Sequence, residues 1–100
     1  MKRFLIAALP LALPFLFFSD AQAAEVGLLQ ILNGFSAKES CSCAFVVEQS
    51  DEYCKEFGQV EGFKVDVAID HATKSVKASY AGVTRTAHVS DSGGCMLDPL

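Results

Sequence analysis

Apolar residues run without a break from Phe4 to Phe18, apart from two prolines, and then settle into two different rhythms. In "EVGLLQILNGFSA" Leu28, Ile31, Leu32 and Phe35 fall at i, i+3, i+4 and i+7, which predicts an amphipathic helix over 24–37. Glu25 suits the start of its dipole and Gly34 marks its expected end. "CAFVV" is short and β-prone and predicts a strand. In "SDEYCKEFG" Ser50 is a good N-cap, Asp51 and Glu52 sit in the first turn, and Gly58 can close the helix in a left-handed conformation. Tyr53, Cys54 and Phe57 would then point broadly to one side.

The rhythm changes to strict alternation after Gly62. Phe63, Val65, Val67 and Ile69 interleave with Lys64, Asp66, Ala68 and Asp70, as in a strand with one wet face. "DHATK" reads as a turn. Val76, Ala78 and Tyr80 share one side of the next strand, and Gly82 punctuates it. "VTRTAHV" is a third strand, with Val83, Ala87 and Val89 on the side of Arg85; "SDSGG" is a loop and "CML" a closing segment. The expected fold is a small α+β domain: an antiparallel three- to four-stranded meander with one or two short helices.

The first apolar run changes the picture of where this domain works. Lys2 and Arg3 precede it, and Ala21 and Ala23 follow in the A-x-A arrangement of a signal peptidase site. The run is 15 residues long, short of the roughly 20 that a spanning helix needs. Pro10 and Pro14 interrupt it. The reading is a Sec-type signal peptide over 1–23, cut between Ala23 and Ala24, and a single exported domain over 24–100, periplasmic or secreted. No membrane association is expected after cleavage. Without Lys2, Arg3 and Asp20 the mature chain holds six basic and eleven acidic residues, net −5. An acidic domain with no basic stripe is a poor nucleic-acid partner.

Export gives the four cysteines their meaning. An even set in a small secreted chain reads as a disulfide framework closing the core over 41–97. A Cys41–Cys43 bond would close a strained ring. Two pairings remain open: Cys41–Cys95 with Cys43–Cys54, or Cys41–Cys54 with Cys43–Cys95. If 41–47 is extended, both early thiols leave the same face. The C-x-C spacing also suits Cu(I) or zinc, with His71 and His88 as further candidates. Those histidines share no short ligand spacing, and an exported C-x-C beside two more cysteines reads as oxidised. No metal or other cofactor is expected.

Catalytic chemistry is not legible. No lysine has serine three positions earlier, and there is no G-x-S-x-G elbow. Asp70 and His71 are neighbours in a turn. His88 and Ser90 flank Val89, with no carboxylate evidently placed to orient the imidazole. The histidines read as surface residues, and the aromatics as core in place of a ligand box. No catalytic residue is assigned.

Taken in order, the motifs resemble the segment that precedes the catalytic domain in exported bacterial β-lactamase-related serine hydrolases, often labelled amidases or aminohexanoate-dimer hydrolases. Cys41, Ser42, Phe45 and Val46 match its opening. Asp70, Val76, Gly82, Arg85, Thr86 and Ala87 match its middle. Gly94, Cys95 and Leu97 match its close, with Met96 in place of threonine. The resemblance implies that Cys41 pairs with Cys95, which leaves the additional Cys43 and Cys54 to bond each other. The Ser-x-x-Lys domain of that family has no counterpart in these residues, so hydrolase activity is not implied. The expected function is non-catalytic: a binding or structural module, accessory to an envelope hydrolase, with a protein or envelope component as partner. The alternatives are a truncated or split member of the hydrolase family, and a periplasmic thiol or Cu(I)/zinc carrier.

Overall fold

The computed structural model describes residues 27–100. The expected leader, the expected cleavage site between Ala23 and Ala24 and the expected start of the first helix lie outside them. Residues 27–41 form helix α1, which runs without a break into a π-helical turn at Ser42–Val46. Helix α2 spans Asp51–Phe57. Strands β1 (Asp66–Asp70), β2 (Ser75–Tyr80), β3 (Val83–Val89) and β4 (Cys95–Leu97) form one antiparallel sheet in the order β1-β2-β3-β4. This is the expected small α+β meander, carrying two disulfides.

The sheet follows its alternation. Ile69 pairs with Val76 and Val76 with Ala87, and Ala87 with Leu97, so all four lie on one face. Lys77, Thr86, His88 and Met96 lie on the other. Val76, Ala78 and Ala87 are fully buried and form the centre of the core with Ala37, Cys41 and Cys95. Alternation before β1 does not become ladder. There the Gln59 side chain stands in for a strand, accepting from Val65 N at 2.9 Å and donating to Val65 O at 2.8 Å.

Two sequence expectations fail at the helices. Gly34 does not end α1; it sits buried within it, beneath Leu97. "CAFVV" is not a strand but the π turn, closed by Val47 N donating to Ser42 O at 2.9 Å. The short apolar run resembles a strand by composition, and helical continuity from α1 overrides that propensity. The helix also presents a different face. Asn33, Ser36, Ala37, Ser40 and Cys41 are fully buried, whereas Leu28, Ile31 and Phe35 are 61%, 70% and 51% exposed. Of the predicted apolar stripe only Leu32 packs on the core. The sheet centre explains this: Ala78 and Ala87 make a shallow surface, and only a helix face of small residues can approach it closely.

Two turns carry testable chemistry. Tyr80 pairs with Val83, so Ala81 and Gly82 form a two-residue hairpin loop, with φ of 53° and 81°. Positive φ at both positions is the type I′ pattern, and it suits Asn-Gly better than Ala-Gly. Ala81→Asn is expected to raise stability by about 1 kcal/mol, which lifts the melting temperature by about 4–8 °C in a domain of this size. In the β1–β2 turn, Asp70 Oδ1 accepts from Ala72 N at 2.9 Å and Thr73 N at 3.3 Å. Hydrogen bonds from the Thr73 side chain and backbone, then from Ala72 N, hold the Asp70 carboxyl below its ordinary value of 3.8. A lowered folded-state pKa means that the stabilisation is complete above the unfolded value and is lost as pH falls through the folded one. Asp70→Asn keeps the acceptor but cannot titrate. Its acid unfolding curve is therefore expected to be shallower than wild type below about pH 4, with NMR titration of the Asp70 carboxyl as the direct check.

Candidate functional site

The helical C-x-C organises the site. Two positions along a helix are about 200° apart, so Cys41 and Cys43 leave opposite sides. Cys41 reaches the sheet and bonds Cys95; Cys43 reaches α2 and bonds Cys54. An extended segment would have sent both to one side. Cys43, Ala44 and Cys54 form a second small core, joined to the first through Phe45 and Ile69. The end of α1 is thereby clamped between the sheet and α2.

Helix α2 is built as its residues predict at the start: Ser50 Oγ accepts from Tyr53 N at 3.2 Å. At its end Gly58 is not left-handed. Its φ is −80°, and its value lies in contact, since the Ser36 hydroxyl of α1 donates to Gly58 O. Only Cys54 turns inward; Tyr53 and Phe57 remain 55% and 51% exposed, their rings stacked with centroids 6.2 Å apart. The expectation that these aromatics are core is corrected. A helix of seven residues, drawn in by the Cys43–Cys54 bond, has too narrow a buried face for both rings.

Beside these rings lies a groove of about 240 Å³, lined by Glu39, Ser42, Cys43, Val47, Tyr53 and Phe57 among others. Glu39 and Ser42 continue the helix face that carries Leu28, Ile31 and Phe35, at i+11 and i+14 from Leu28. The exposed stripe of α1 therefore leads directly into the groove. Each such side chain is worth about 1.5–3 kcal/mol when fully buried. Glu39 is the one carboxylate that lines the groove, and the exposed Lys38 stands beside it on α1, three residues from Phe35. Glu48, Glu52 and Glu56 are exposed.

The two histidines stand apart from this groove and from each other. His71 Nε2 lies 2.8 Å from Asp51 Oδ1, tying the β1–β2 turn to the start of α2, and its ring meets Phe45 edge-on at 5.2 Å. His88 Nδ1 is paired with Asp98, an orienting carboxylate that was not foreseen. The β3–β4 register supplies it: Ala87 pairs with Leu97, which sets the next residue beside His88. Among the described residues no hydroxyl is hydrogen-bonded to His88; Ser90 Oγ is bonded to Ser92 Oγ and Ser75 Oγ to Thr73 Oγ1. All four cysteines are bonded, and among the described residues no three His, Cys, Asp or Glu side chains converge on a common point. No helix there is long and apolar enough to cross a membrane. Scans of protein-family models, of curated proteins and of solved structures each find no match to this chain.

Proposed function

We propose that this chain is an exported, disulfide-stapled module that works by binding another component of the cell envelope, without catalysis of its own. The observation that carries the reading is the apolar strip of Leu28, Ile31 and Phe35 running into the groove beside Tyr53 and Phe57. Contiguous exposed apolar surface of this kind marks an interaction site in small domains. The two disulfides are compatible with an oxidising compartment and favour a rigid presenting surface. The resemblance to the leading segment of envelope serine hydrolases makes such an enzyme the first partner to examine.

Site-specific photo-crosslinking tests this. A photoreactive phenylalanine at position 35 is expected to trap a distinct protein in the envelope of the producing cell. The same group at Thr86, on the opposite face of the sheet, is expected to trap none. Equal labelling from both positions, or none from either, would count against a binding module.

A further inference from the structure

A second cavity, of about 330 Å³, opens where the π turn, the β1–β2 turn and the end of β3 meet, and Phe45, Glu48, His71, Lys74 and Val89 line it among others. It shares only Gln49 with the groove beside Tyr53 and Phe57. Among the described residues three that are not glycine are held in the left-handed region, and two of them, Glu48 (φ 62°) and Lys74 (φ 50°), line this cavity. The third, Ala81, belongs to the β2–β3 hairpin. Each conformation has a local cause. Glu48 follows the π turn, and the next amide, Gln49 N, donates back to Cys43 O at 3.1 Å. Lys74 ends the β1–β2 turn, where its carbonyl accepts from Val89 N at 3.0 Å. Neither cause calls for a side chain. Glycine adopts this conformation without the penalty that a Cβ incurs. Two positions that glycine would fill more stably therefore carry charged side chains, and both border one cavity. Backbone strain kept in this way gathers at functional sites.

We propose that this cavity binds a small zwitterion, an α-amino acid or short peptide with an apolar side chain. Its carboxylate would meet Lys74, its ammonium Glu48, and its side chain the floor of Phe45 and Val89, which are partly buried. Glu48 and Lys74 carry opposite charges and are exposed, and among the described residues neither enters an ion pair. The remaining ionisable group of the lining, His71, is already held by Asp51. A simple anion drawn to Lys74 would also meet Glu48, and a simple cation drawn to Glu48 would also meet Lys74. Only a ligand with both charges satisfies both groups. Leu28, Ile31 and Phe35 do not line this cavity, so the inference goes beyond the binding role of the strip and does not depend on it.

The test is isothermal titration calorimetry of the disulfide-bonded protein with leucine and with leucyl-leucine, each also in its N-acetylated and its C-amidated form. At least one free zwitterion is expected to bind at millimolar concentration or below. Binding of leucine marks an amino-acid site and binding of leucyl-leucine alone a peptide site; either supports the proposal. Each blocked form lacks one charge and is expected to bind about tenfold or more weakly. Glu48→Gly and Lys74→Gly are expected to move two readouts in opposite directions. The melting temperature should rise by about 4 °C, and the affinity should fall about tenfold or more. Glu48→Gln removes the charge and keeps the Cβ, so it should lose the same affinity at an unchanged melting temperature. Binding of neither zwitterion, blocked forms that bind as well as the free ones, or affinity unchanged in both glycine variants would overturn the proposal. So would glycine variants that melt below wild type, since the two side chains would then be serving the fold. None of these failures touches the crosslink expected from position 35.

Discussion

Replacing Cys41 and Cys95 together by alanine is expected to leave the domain largely unfolded at 25 °C. The bond joins residues 54 apart in sequence, both in the central core, with Cys41 fully buried and Cys95 at 8% exposure. Chain-entropy reasoning values a closure of that length at about 4 kcal/mol. A core of this size supplies about 3–5 kcal/mol net, so the loss matches the whole margin. Losing Cys43–Cys54 is expected to act locally. Its closure spans 11 residues, worth about 3 kcal/mol, and it serves the second core beneath α2. Hydrogen exchange in the Cys43→Ala/Cys54→Ala variant should show α2 unprotected and the sheet still protected. Urea titration separates the two. A Cys41→Ala/Cys95→Ala variant that keeps a wild-type midpoint would remove the staple from its central place.

Gly58→Ala is expected to cost about 2–3 kcal/mol, an overpacking effect. An added Cβ would lie 1.9 Å from Ser40 Oγ and 3.0 Å from Ser36 O. Both belong to the buried face of α1, and Ser40 is fully enclosed. The backbone conformation imposes nothing here, since φ of −80° is open to any residue. Asn at position 58 should therefore be no better tolerated than Ala, whereas a left-handed cap would accept it. Ser40→Ala supplies the second arm of a double-mutant cycle. Ser40 Oγ is buried without a hydrogen-bond partner, so its removal alone is expected to be close to neutral. In the Gly58→Ala background it should recover a large part of the loss, because the shortest contact goes with it. Equal costs of Gly58→Ala in both backgrounds would show that the contact with Ser40 is not what requires glycine.

The exposed apolar strip of α1 is only half legible beforehand. Its spacing was plain: Leu28, Ile31 and Phe35 repeat as a helix face. Periodicity says that such residues share a side and does not say which side meets the core. That was settled by the packing: Ala37 and Cys41 join Ala78 and Ala87 in the core, and Ser36 and Ser40 meet Gly58, so Leu28, Ile31 and Phe35 are turned outward. Tyr53 and Phe57 were likewise visible as an i, i+4 pair, but their exposure depends on Cys54 being drawn inward by Cys43. Asp98 lay ten residues from His88, with nothing local to join them until β4 paired with β3.

Residue order alone determined the meander, because a period of two with charges on one side admits a single half-buried arrangement. It likewise determined the Ser50 cap and the Asp70 turn, which are local hydrogen bonds within three residues. Only the tertiary structure decided that Cys41 and Cys43 diverge, since a C-x-C is divergent on a helix and convergent on a strand. The same holds for Gly58, whose need for a bare Cα comes from a serine 18 positions earlier in the chain. Contacts distant in sequence are set by shape and volume, and neither is written in the periodicity of a single segment.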